Sequence, residues 1–176
     1  MLDQERFNTG FLYNEFIQMT NEETAVYHHH YNRTVVSEDD RNFLSNLPGL
    51  NIAVISEPWC GDSMVILPVI QKWIDSFNHI KMRIFKREDN PDMMDNYLTN
   101  GARSVPKIIL YDTEFNEIGT WGPRSKPAQK VFNEYHKMLK DGTIEKSVVR
   151  NKIRRIYAMD RGKDIIAEIK DNCISK

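Results

Sequence analysis

The chain has 176 residues, 40% of them hydrophobic, which suits one domain with additions and a core of its own. Its 24 Lys and Arg nearly cancel its 25 Asp and Glu, so the net balance selects neither nucleic acid nor an anionic membrane as partner. The two cysteines, Cys60 and Cys173, lie 113 residues apart and are too few for a disulfide-stapled secreted fold. The opening Met1-Leu2-Asp3-Gln4-Glu5-Arg6 leads into no apolar leader, and no stretch approaches the length of a membrane span. A cytoplasmic protein is expected.

Residues 1–49 read as a helical extension. Phe7, Phe11, Leu12, Phe16, Ile17 and Met19 recur near helical spacing, and Ser37 followed by Glu38, Asp39 and Asp40 reads as an N-cap with an acidic first turn. Pro48-Gly49 punctuates the end. His28-His29-His30 invites a metal reading, but adjacent side chains diverge on a helix or a strand, and no Cys or carboxylate cluster with zinc spacing accompanies them. No metal is expected.

The apolar run Ile52-Ala53-Val54-Ile55 predicts a buried strand over 51–56. After Glu57-Pro58-Trp59-Cys60-Gly61-Asp62-Ser63, a helix over about residues 60–77 presents Val65, Ile66, Val69, Ile70, Trp73 and Ile74, bent at Pro68 where an N–H is missing. This order delivers Cys60 to a helix N-terminus, where unpaired N–H groups and the helix dipole favour a thiolate over a thiol. Ser63 stands where the second cysteine of a C-x-x-C pair would be, so any redox chemistry is monothiol, and an external thiol must clear a mixed disulfide. Two points stay open. Asp62 either raises the Cys60 pKa by its charge or caps the helix, and Ser63 either donates to the sulfur or caps the helix.

Residues 81–86 alternate charged with apolar side chains and predict an edge strand. Asn90-Pro91 starts a helix carrying Met93, Met94, Tyr97 and Leu98, stopped by Asn100-Gly101. The runs 107–111 and 115–121, joined by Asp112-Thr113-Glu114, suit an antiparallel hairpin, followed by a helix over 127–140. Thr143-Ile144-Glu145-Lys146 resembles a capping-box start, and Ile144, Val148, Val149, Ile153, Ile156 and Tyr157 form one helical stripe, with an interruption near Gly162. That stripe must be buried on its own domain or on a second copy; own-domain packing, and hence a monomer, is expected. The tail's cations are interleaved with acids, so a solvated face rather than nucleic acid contact is expected.

Trp59-Cys60-Gly61 after a buried strand, Pro68 eight residues beyond the cysteine, and Ser104-Val105-Pro106 opening the run Lys107-Ile108-Ile109-Leu110 together resemble the thioredoxin superfamily over residues 50–141. The resemblance implies an α/β thioredoxin-like fold, a central mixed sheet flanked by helices, with helical extensions at 1–49 and 142–176. It also implies a cis Pro106 beside the Cys60 sulfur, with the Val105 backbone left free to pair with a substrate segment. Trp59, Gly61, Asp62, Trp121 and Gly122 would flank the groove. Three departures bear on mechanism: Ser63 for the resolving cysteine, Val54 where thioredoxins keep a buried acid, and Asp62 for the usual proline. The glutathione-binding Gly-Gly-Asp and the Cys-Gly-Phe-Ser signatures of glutaredoxins are absent, and the chain is most similar to the bacterial group with Trp-Cys-Gly-Asp followed by a small residue.

The function so implied is that of a monothiol thiol–disulfide oxidoreductase without a cofactor, in which Cys60, beside Ser63, exchanges with protein thiols or disulfides or with a low-molecular-weight thiol. A second reading is a non-catalytic binding module that keeps the groove, favoured by Ser63 and Val54. A third is a dimeric assembly protein whose tail is the functional part. Cys173 has no motif around it; it would resolve a Cys60 disulfide only if the tail folded back.

Overall fold

The computed structural model describes residues 2–20 and 23–173, the side chains of Asn172 and Cys173 excepted, so the reading of Cys173 as a resolving thiol lies outside the described residues. At the centre stands β1 (Leu50–Ser56), buried at every position. It pairs in parallel with β2 (Ile80–Lys86) and antiparallel with β3 (Lys107–Tyr111), and β3 continues antiparallel into β4 (Glu117–Trp121). The strand order is β2-β1-β3-β4, a mixed four-stranded sheet of thioredoxin-like form. β2 is an edge strand, as its alternating charges predict. Phe11 covers part of that edge by exchanging backbone hydrogen bonds with Ile84 at 2.8 and 2.9 Å.

The period of two along β1 sorts its side chains between two cores. Ile52 and Val54 join Ile108, Leu110 and Ile84 in the larger core, and Ala53 and Ile55 join Ile109, Phe85 and Met94 in the smaller one. Helix α5 (Ser63–Ile74) packs against α3 (Thr24–Arg33) on the larger side and continues through Pro68. The smaller core is closed by α1 (Gln4–Asn8), which buries Phe7, and by α6 (Pro91–Met94), the two tied by the Arg6–Asp92 ion pair at 2.6 Å. α6 ends at Met94, so Tyr97 and Leu98 lie outside the predicted helix. The Tyr97 hydroxyl instead donates to Glu117 on β4 at 2.6 Å, which draws the chain back to the sheet.

The N-terminal segment contributes α2 (Tyr13–Gln18), with Phe16 and Ile17 in the larger core, and α4 (Glu38–Ser45), capped by Ser37 as expected. The Ser37 hydroxyl accepts the Asp40 N–H at 3.1 Å while Asp40 reaches back to Ser37. After β4 come α7 (Lys126–Lys140), α8 (Lys146–Asp160) and α9 (Lys163–Cys173). Val149, Ile153 and Tyr157 from α8, and Ile165, Ile166 and Ile169 from α9, belong to the same core as β1 and α5. Val148 is exposed, so the stripe is narrower than the sequence pattern. Asp40 of α4 accepts from Lys170 of α9 at 2.6 Å, which pins the last helix to the N-terminal segment. Among the described residues no helix is long and apolar enough to cross a membrane.

The turn between α8 and α9 depends on backbone conformation. Arg161 and Gly162 both have positive φ, 57° and 89°, and the Arg161 carbonyl accepts the Val35 N–H at 3.1 Å. A Cβ on Gly162 would sit 2.8 Å from Val69 Cγ1 on α5. Gly101 also has positive φ, 76°, but a Cβ there would meet nothing within 4 Å. Gly162→Ala is therefore expected to cost about 2 kcal/mol, strain plus crowding, against about 1 kcal/mol of strain alone for Gly101→Ala. Urea unfolding of both variants checks this, and equal losses would mean that the α8–α9 turn does not pack closely on α5.

Candidate active site

Strand β1 ends at Ser56, and the chain turns so that the Cys60 N–H donates to the Glu57 carbonyl at 3.0 Å. The Glu57 side chain is buried and accepts the Glu88 N–H at 2.9 Å, holding the loop after β2 beside this turn. Cys60 itself is 7% exposed. α5 begins at Ser63, with Asp62 as its N-cap, so the cysteine precedes the helix instead of opening it, a correction to the predicted start at Cys60. The Asp62 carboxylate makes no cap hydrogen bond, because it is held by Arg124 at 2.6 Å.

The Val105-Pro106 peptide is cis, as the resemblance implies, and its loop lies against the sulfur. The Cys60 thiol donates to the Val105 carbonyl at 3.4 Å. Among the described residues the Val105 N–H takes no hydrogen bond. Behind it, a Cβ on Gly122 would overlap the Pro106 carbonyl oxygen, and Lys107 donates to Thr99 Oγ1 at 3.0 Å and to the Gly122 carbonyl at 3.5 Å. Burial lowers the Lys107 pKa.

A cleft of about 980 Å³ opens over Cys60. Trp59, Gly61, Asp62 and Val105 line it together with Cys60, as their motif positions imply. Pro106, Trp121 and Gly122 do not. Pro106 and Gly122 back onto each other beneath the loop. Trp121 is covered by α9, its indole N–H donating to Glu168 at 3.0 Å, so the expectation that it flanks the groove is corrected: the added C-terminal helix occupies its exposed side. In its place the wall is built by Pro123 and Arg124 and by the facing sides of α7 and α8. Trp59 is 61% exposed at the rim, with the Arg87 guanidinium 5.2 Å from its ring centroid.

The electrostatics around the sulfur run against the predicted thiolate. Burial pushes the Cys60 thiol up, hydrogen bonds from the Ser63 hydroxyl and backbone pull it back, and the Asp62 charge adds to the rise; the balance is a raised pKa. Ser63 is fully buried and receives a hydrogen bond from Ser56 at 2.7 Å, which frees its own proton for the sulfur. Ser63 thus acts toward the thiol and not as a cap. The question left open at Asp62 resolves toward the unfavourable charge, moderated by Arg124. Burial likewise raises the Asp62 carboxyl, with Arg124 opposing it. Arg124 in turn stacks on Phe132 at 4.2 Å.

The three histidines lie away from this site. His28 lines a separate groove with Tyr31 and Asp75, and His29 and His30 meet edge to face at 5.4 Å. Burial pulls His30 down to about 4. Sequence reasoning missed Arg124 and the cleft-facing cations of α7 and α8; the Gly-Pro pair at 122–123 is a local turn signal, but nothing local signals a partner for Asp62.

The comparisons with known proteins agree with the fold. A Pseudomonas aeruginosa protein of unknown function superposes with a TM-score of 0.70 at 17% identity, covering 98% of this chain and 99% of that one. An HIV epitope-scaffold superposes with a TM-score of 0.69 at 16% identity, covering 94% and 96%. Thioredoxin M5, chloroplastic, from Oryza sativa subsp. japonica is 32% identical over 81 residues, 44% of this chain and 45% of that protein, so this chain spans about half the length of the curated relative it matches. The family model described as Thioredoxin matches residues 10–138, well over half of the chain, and the chain belongs to the thioredoxin family.

Proposed function

We propose that this protein is a monothiol member of the family, of the bacterial type with Trp-Cys-Gly-Asp and a small residue, that works as a monomer in the cytoplasm by thiol–disulfide exchange at Cys60. The observation that carries the reading is the meeting of the Cys60 sulfur with the Val105 carbonyl at 3.4 Å at the floor of an open cleft. Cys60 loses its proton to solvent, and its sulfur attacks one sulfur of a bound disulfide. The new bond joins Cys60 to that sulfur, the old S–S bond breaks, and the departing sulfur takes up a proton. Ser63 hydrogen-bonds the Cys60 sulfur but cannot displace the bound group, so a second, external thiol must. A cytoplasmic thiol pool supplies that thiol.

The raised Cys60 pKa favours one rival, a groove that binds protein without turnover. Alkylation of Cys60 followed against pH separates them. Exchange chemistry predicts a rate that climbs through an inflection above the ordinary thiol range near 8.5, with an adduct forming from hydroxyethyl disulfide on that same limb. A sulfur that forms no adduct even on the alkaline limb would leave the binding reading standing.

The Asp62 charge disfavours the thiolate, and its loss would also release the Arg124 charge, which favours it. Both changes have one sign. Asp62→Asn should lower the Cys60 pKa and raise the neutral-pH alkylation rate up to about tenfold, one pKa unit being a tenfold change in thiolate fraction. A thermal melt run alongside reports the loss expected from an unpaired, mostly buried guanidinium, about 3 kcal/mol or less.

Ser63→Cys restores a resolving thiol. Insulin reduction is expected to rise severalfold, because the mixed disulfide can then be released within the molecule. No increase over a strongly active wild type would show that release is not limiting.

A further inference from the structure

The chain carries 24 cationic and 25 anionic side chains, yet the cleft over Cys60 is strongly one-sided. Six cations line it, Arg87, Arg103, Arg124, Lys140, Lys146 and Arg150, against the two acids Asp62 and Glu88. Both acids are already held, Glu88 by Arg87 and Asp62 by Arg124, and Arg103 is paired with Asp95 outside the cleft. Lys140, Lys146 and Arg150 have no ion-pair partner among the described residues. They lie on the facing ends of α7 and α8, and the Arg150 Cδ approaches to 3.8 Å from where a Cβ on Gly61 would lie, one residue from the sulfur. The same cleft is also lined by the apolar side chains of Phe132, Val149 and Ile153. The volume falls in the range of small-molecule sites, about 300–1,000 Å³.

We propose that this cleft selects anionic low-molecular-weight thiols: the group exchanged at Cys60 is a small disulfide bearing carboxylates or phosphates, its anions held by Lys140, Lys146 and Arg150 and its apolar stem laid on Phe132, Val149 and Ile153. The inference rests on the reading of Cys60 as an exchange thiol. The step is the one written above, with the anionic disulfide RSSR as oxidant: Cys60–S–S–R forms, the departing RS⁻ takes a proton, and a second thiol of any charge later releases the bound RS group as a new disulfide. Uncompensated cations in a concave, partly apolar wall raise the local concentration of such a ligand and orient it, and salt weakens the effect because the rim is solvated.

The test measures Cys60 adduct formation on the intact chain by mass spectrometry, with four probes: oxidised glutathione, coenzyme A disulfide, neutral hydroxyethyl disulfide and cationic cystamine. Each rate is divided by the same probe's rate with free cysteine. The anionic probes are expected to exceed the neutral one by about tenfold and cystamine to fall below it, with the spread shrinking in about 0.5 M salt. K140Q, K146Q and R150Q should each bring the anionic-to-neutral ratio severalfold toward one. A preference for glutathione alone assigns carboxylate as the anion, and one for coenzyme A alone assigns phosphate. Equal corrected rates across the four probes, or ratios that the three substitutions leave unmoved, overturn the inference while leaving Cys60 an exchange thiol. No adduct with any probe overturns the exchange reading, and this inference with it.

Discussion

Because β1 is buried at all seven of its positions, both of its edges and both of its faces have to be covered, and the chain can first leave the sheet only after Ser56. The edges go to β2 and β3, and the faces to the two cores that alternate along it. The turn that follows is therefore anchored on a strand buried along its whole length. It ends at Cys60 directly above the next strand pair, where the 105–106 loop enters β3. The meeting of Cys60 and Val105 is a consequence of the sheet order: β3 lies beside β1 and runs antiparallel to it, so its first residues stand next to the last residues of β1. Glu57, buried at the end of β1, binds the loop after β2 to the same corner.

The buried position of the sulfur opposes easy ionisation. A sulfur at 7% exposure loses solvation when charged, and the nearest carboxylate has its like charge only partly offset by Arg124. The serine pair acts the other way. Ser56 donates to Ser63, and Ser63 donates to the sulfur, a short relay that can strengthen as the thiolate forms. Of these effects burial is the largest and decides the direction, so helix-terminus stabilisation, which a cysteine inside the first turn of α5 would enjoy, does not reverse it. What the geometry holds in readiness is a positioned thiol whose ionisation answers to its surroundings, Asp62 foremost among them.

Much of this corner was legible in the sequence because its signals are local. The strand, the Trp-Cys-Gly turn, the position of Pro68, the hairpin around Asp112 and the Ser37 cap all rest on residues within a few positions of one another, where periodicity and turn chemistry operate. The cis Val105-Pro106 peptide was implied by the family resemblance and not by any local preference. Failures came where a distant side chain decides the outcome. Asp62 was ambiguous until Arg124, far along the chain, took its carboxylate. Trp121 looked like a groove residue because nothing in β4 tells that Glu168 of α9 will cover it. α6 was overextended because Met93, Met94, Tyr97 and Leu98 keep helical spacing, whereas the tyrosine hydroxyl finds Glu117 on the sheet.

The helices after β4 join the fold to the site. α9 packs against β4 and α5, and α8, joined to it through the tight Arg161–Gly162 corner, lines the cleft over Cys60. Val149, Ile153 and Tyr157 of α8 belong to the main core, and Val149 and Ile153 also line the cleft beside Arg150 and Lys146. The same helix therefore stabilises the domain and supplies the wall and charge of its opening. A substitution in the buried stripe of α8 cannot be silent at the cleft, since any shift of the helix moves Arg150 relative to Gly61 and the sulfur beside it. Core packing and cleft geometry are coupled here through one element, and the N-terminal segment shares in the coupling, because Val35 holds the Arg161 corner between α8 and α9 and Asp40 holds Lys170 of α9.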